Sequence, residues 1–143
     1  MCAEEKKVKH LEFIQSNIAR MNQCSFQMKG WMIAIVSALL ALYAASINGE
    51  AGTGTNMFIF IAIAPTFIFW VLDSYYLQQE RKFRGVYNDL IDPEKYMKIK
   101  EFSIPLKSYN SYKYCLFCAM WSVTESMLYL PIITGLIIAG IFL

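Results

Sequence analysis

All thirteen Lys and Arg residues of this chain lie on one side of two apolar runs. The runs are Trp31–Ile47 and Met57–Leu72, and the second continues helical to about Leu77. Lys6, Lys7, Lys9, Arg20 and Lys29 precede the first run. Arg81, Lys82, Arg84, Lys95, Lys98, Lys100, Lys107 and Lys113 follow the second. Segment 48–56, between the runs, carries one acid, Glu50, and no base. Positive side chains are retained on the cytoplasmic side of a membrane during insertion. The split therefore predicts a small all-α membrane protein, with its N-terminus in the cytoplasm and a short external hairpin.

Composition supports this class. The chain has 143 residues, 57% hydrophobic and 17% charged, where a soluble domain carries about 25% charged residues. Its length suits one membrane domain, 1–143. The first 27 residues are polar and amphipathic, so no cleavable signal peptide is expected. Net charge is only +2, and ten of the eleven acids share the basic side.

Residues 6–29 read as an amphipathic cytoplasmic helix. Leu11, Ile14, Ile18, Met21, Ser25 and Met28 recur at alternating spacings of three and four, which makes a heptad-like seam. Such a seam serves helix association between subunits. It serves equally for a helix lying on the bilayer surface or on its own chain.

The first span is 30–47. Trp31 and Tyr43 stand near its ends, as an aromatic belt requires. Ser37, Ala41 and Ala45 form a small-residue stripe, and small residues allow helices to approach closely in lipid. The second span is 57–77, with Pro65 near its middle. A proline removes one backbone hydrogen bond, which makes either a hinge or a static kink. Residues 78–91 continue this helix into the cytoplasm. Asp92-Pro93-Glu94 starts a further short helix to about Lys100, and Phe102–Pro105 breaks it.

The third span is 126–143, with Gly135 and Ala139 as a small-xxx-small pair. Glu125 sets its register. A bilayer boundary at Cys115 would bury Glu125 about 15 Å deep, at a cost of several kcal/mol unless it is paired. We therefore expect Tyr109–Thr124 to form an interfacial or cytoplasmic helix, with Glu125 and Asp73 at the inner boundary. There they would hold the cytoplasmic helices of 78–125 to the bundle.

The four cysteines, Cys2, Cys24, Cys115 and Cys118, fall on the cytoplasmic side, where thiols stay reduced. Cys115 and Cys118 have the spacing of a metal or redox pair. Without a second pair, and with His10 as the single histidine, we read them as small buried groups and expect no metal or cofactor. No Gly-rich phosphate loop, H-E-x-x-H or G-x-S-x-G occurs, so an enzyme is the least favoured class.

A basic, aromatic cytoplasmic face remains. Arg81, Lys82, Arg84, Tyr87 and Lys113 are its candidate ligand- or partner-binding residues. Basic groups interleaved with rings can hold phosphates and stack bases, or bind anionic headgroups. They also satisfy positive-inside topology with no ligand at all. A bundle this small encloses a pore only as a homo-oligomer, with four copies as the working number. Basic groups at an inner mouth favour anions.

The stretch Lys29-Gly30-Trp31, with Phe69-Trp70-Val71-Leu72-Asp73-Ser74-Tyr75-Tyr76 and its continuation Gln78-Gln79-Glu80-Arg81-Lys82-Phe83-Arg84-Gly85-Val86-Tyr87, resembles small bacterial anti-phage defence proteins. These are the SLATT-type membrane effectors paired with nucleotidyltransferases, and the layout is most similar to the membrane effectors of the Hailong system. The resemblance covers about residues 8–92, and the third span goes beyond the simplest two-span layout. It implies an oligomeric ion channel of the bacterial inner membrane that depolarises the infected cell. It also implies control by a partner nucleotidyltransferase or its nucleotide or oligonucleotide product. The competing expectation is a non-conducting membrane anchor that recruits a soluble partner.

Overall fold

A computed structural model of the chain describes residues 3–47, 56–92 and 103–142. Among the described residues four α-helices make the frame: α1 (Ala3–Ile47), α2 (Met57–Ile91), α3 (Leu116–Met120) and α4 (Val123–Phe142). Two 3₁₀ turns, Leu106–Ser108 and Tyr112–Tyr114, lie between α2 and α3. Helices α1, α2 and α4 are each long and apolar enough to cross a membrane, so the fold is that of an all-α membrane protein.

The expected amphipathic helix and first span form one rod. Helix α1 has 45 residues and α2 has 35. At 1.5 Å per residue they are about 67 and 52 Å long, well beyond an apolar layer of about 30 Å. About half of α1 therefore stands clear of the apolar layer, beside the polar half of α2. Pro65 lies inside α2, and the helix continues through it.

Helix α2 is the centre of the bundle. It runs antiparallel to α1, with Ser25 beside Asp73 at mid-length. It also runs antiparallel to α4, where Asn56 Nδ2 donates to the Gly140 carbonyl and Phe60 lies against Gly140. Two cores result. In the apolar half, Met32, Val36 and Tyr43 of α1 join Ile59, Ala62 and Trp70 of α2 and Tyr129 and Leu136 of α4. In the polar half, Ile14 packs with Phe83, Val86 and Leu90, flanked by Leu11, Ile18 and Met21. The heptad-like seam thus folds onto its own chain. Loss of Ile14, which is fully buried, costs about 2–5 kcal/mol on truncation to Ala.

The outer faces of the apolar half are a lipid surface. Trp31, Leu42, Phe67, Ile68, Ile138 and Ile141 are all exposed. Tyr43 departs from the aromatic-belt expectation and sits in the interior core.

The single helix expected over Tyr109–Thr124 is not formed. The chain makes the two 3₁₀ turns, then caps α3 with Cys115 in extended conformation (φ −76°, ψ 144°). Ser, Asn and Tyr, which crowd 108–114, are weak helix formers. Arg81 of α2 also takes the Cys118 carbonyl and the Ser122 hydroxyl as acceptors, which pins the chain where a continuous helix would carry it away. The helix expected after Asp92-Pro93-Glu94 lies outside the described residues.

Candidate functional site

Between the two cores lies a buried polar layer built by three helices. Asp73, fully buried on α2, accepts from the Ser25 hydroxyl and the Lys29 ammonium of α1, and from the Tyr129 hydroxyl of α4 at 3.0 Å. Lys29 also donates to Ser25 Oγ at 3.0 Å and to Glu125 Oε1 at 2.9 Å. Glu125 stands in the first turn of α4, where the helix dipole favours an acid, and its side chain is only 2% exposed. Trp70 lies one turn from Asp73. It stacks on Tyr129 with ring centroids 6.0 Å apart, and its Nε1 donates to the Met120 carbonyl at 3.3 Å. Removing one partner from such a set exposes the others to an apolar surrounding, so the layer fixes helix register.

A second feature lies on the polar half of α2. Arg81, Arg84, Gly85 and Asn88 recur at helical spacing and form one wall of a cleft of about 340 Å³. Lys113 and Tyr114 form the other. The segment carrying them is strapped to α2. Gln78 Nε2 donates to the Tyr114 carbonyl at 2.7 Å, and the Tyr109 hydroxyl donates to Asp89 Oδ2 at 2.6 Å. Gly85 makes this approach possible. A Cβ there would lie 2.6 Å from the Tyr114 hydroxyl and 2.9 Å from Tyr109 Cδ1. Burial, helped by the Asp89 carboxylate, pushes the Tyr109 hydroxyl well above the usual tyrosine range.

Three of the five candidate ligand residues, Arg81, Arg84 and Lys113, come together in this cleft. Lys82 and Tyr87 do not line it. Tyr87 packs beside the polar-half core, one face round from Arg84. Arg84 also pairs with Glu80 at 2.6 Å, and Arg81 is committed to Cys118 and Ser122. Lys113 and Arg84 are both exposed, and Arg81 is half-buried.

Asp73 and Glu125 do share one level, through Lys29 rather than as separate anchors. Pro65 lies well away from them, in the apolar half near Ala62 and Thr66. Of the packing residues, Ser37, Ala41, Ala45 and Gly135 face outward, and Ala139 is half-buried. The α1 stripe therefore does not pack within the chain.

Sequence reasoning missed Ser25, Lys29 and Tyr129 as partners of Asp73. Ser25 was the odd polar member of an apolar seam, and that was the available signal. No known protein family, curated protein or solved structure matches the chain.

Proposed function

We propose that this protein is a homo-oligomeric ion channel of the bacterial inner membrane, gated from the cytoplasm by a phosphate-bearing ligand. In that reading it is a toxic effector of anti-phage defence. The ligand is a nucleotide or oligonucleotide, made or delivered by a partner nucleotidyltransferase. The N-terminus is cytoplasmic, and the basic cleft faces the cytosol.

One observation carries the reading. The cleft and the apolar span share a single unbroken helix, α2, and Asp73 lies on it between them. An anion held by Arg84 and Lys113 acts on the strap that covers α2 and on the rod that enters the bilayer. Guanidinium and ammonium groups beside a tyrosine suit a phosphate with an attached base. The exposed Ala41 and Ala45 of α1 offer a small-residue surface on which copies can meet.

The test is ion flux from liposomes holding the purified protein, with and without an oligonucleotide added on the cleft side. Arg84→Glu with Lys113→Glu is the informative variant, because both side chains are exposed and Arg81 is needed for the strap. Flux that responds to oligonucleotide in the wild type, and ignores it in the variant, supports the channel. Liposomes that stay tight under every condition favour a membrane anchor for a soluble partner.

A further inference from the structure

The buried polar layer is one positive charge short. It holds two carboxylates, Asp73 and Glu125, and one ammonium, Lys29. The donors are unevenly shared. Asp73 receives Ser25, Lys29 and Tyr129, whereas Glu125 receives Lys29 at Oε1 and faces the Asp73 carboxyl. Among the described residues nothing hydrogen-bonds Glu125 Oε2, which is buried. The nearby cations are occupied. Arg81 donates to the Cys118 carbonyl and Ser122 Oγ, and Arg84 pairs with Glu80.

Glu125 also borders a pocket at this level. Its walls include Asn22, Ser25 and Lys29 of α1, Glu80 of α2, and Thr124 and Glu125 at the start of α4. Apart from Lys29, the polar groups on that wall can all present oxygen. An unshared carboxylate oxygen in a buried site is strongly unfavourable unless something supplies the missing charge. Oxygen ligands are what hard cations require.

We propose that this pocket is a binding site for one small monovalent cation, received at Glu125 Oε2. The charge arrives as an alkali ion, shared with the Ser25 and Thr124 hydroxyls, or as a proton on Oε2. Either occupant completes a neutral layer and ties α4 to the hairpin of α1 and α2. The proposal does not depend on ion conduction, since it concerns the folded bundle itself.

The test uses the full chain in lipid nanodiscs. Binding of radioactive sodium and rubidium is measured directly. The thermal unfolding midpoint is followed as sodium or potassium replaces N-methyl-glucamine at constant ionic strength, at several pH values. Infrared spectra report the carbonyl band of a protonated carboxylic acid. An alkali ion gives one bound ion per chain and a midpoint that rises with the ion. A proton gives the carboxylic-acid band at neutral pH and no ion binding. In Glu125→Gln, whose amide needs no counter-charge, the ion binding, the band and the midpoint's dependence are lost. A wild-type protein with neither bound ion nor carboxylic-acid band overturns the site, and that measurement does not need the variant to fold. A dependence that survives unchanged in Glu125→Gln overturns it as well.

Discussion

Lys29 of α1 and Glu125 of α4 form an ion pair, Nζ to Oε1 at 2.9 Å, across 96 positions of sequence. Toward the bilayer side a groove lined by Val36, Ser37, Gly135 and Leu136 separates their helices. The pair, with Asp73 of α2 as third member, is thus the direct polar tie between the first and last long helices. Removing the ammonium leaves two buried carboxylates facing each other. Lys29→Met is expected to destabilise the bundle by about 3 kcal/mol, the usual cost of orphaning a buried charge. Adding Glu125→Gln should recover part of that loss, because one of the two carboxylates is then neutral. Unfolding in mixed detergent micelles measures both. Equal stability of Lys29→Met and wild type contradicts the assignment.

Gly85 is a contact position rather than a flexible one. Its missing Cβ admits the Tyr114 hydroxyl and the Tyr109 ring. Gly85→Ala should cost about 1–3 kcal/mol through overpacking and lift the 103–115 segment from α2. Faster amide exchange across that segment, with the span helices unchanged, is the expected signature.

The strap has a defined pH response. The Tyr109 hydroxyl is raised above its ordinary value by burial first and by Asp89 second. A raised value means that the stabilisation is fully present below the unfolded-state pKa of about 10 and is lost as pH rises through the folded value. The wild-type strap should therefore loosen only in strong alkali. Tyr109→Phe should loosen it at neutral pH and remove its alkaline step. Ultraviolet titration of tyrosinate together with proteolysis of the segment reads both effects.

Gly135 and Gly140 share a helix but not a role. A Cβ at Gly140 would lie 2.9 Å from Phe60 Cζ, whereas nothing lies within 4 Å of one at Gly135. Gly140→Ala should weaken the packing of α4 on α2. Gly135→Leu should leave the single chain folded and, in the homo-oligomer proposed above, reduce assembly. Crosslinking in membranes, beside circular dichroism, separates the two outcomes.

Much of the frame was legible because lipid imposes simple rules. Apolar length located three long helices, and the spacing of Ile14 and its neighbours marked the face that α2 covers. Arg81, Arg84 and Lys113 were visible as cations, but only the strap brings Lys113 to the other two. That strap was illegible, since its geometry depends on a missing Cβ at Gly85 and on long-range bonds from Gln78 and Arg81. The polar layer was half legible. Asp73 and Glu125 drew attention as acids near apolar runs, while Ser25 stood out only as the polar member of the seam and Lys29 looked like an ordinary boundary residue until α1 proved continuous through it.

Conduction under ligand control distinguishes a channel from an anchor. Purified wild-type protein in a planar bilayer, with oligonucleotide added on the side of the cleft, tests it most directly. Discrete conductance steps are expected, with an open fraction that changes on addition. A silent bilayer, with the protein shown to be inserted and oligomeric, would contradict it.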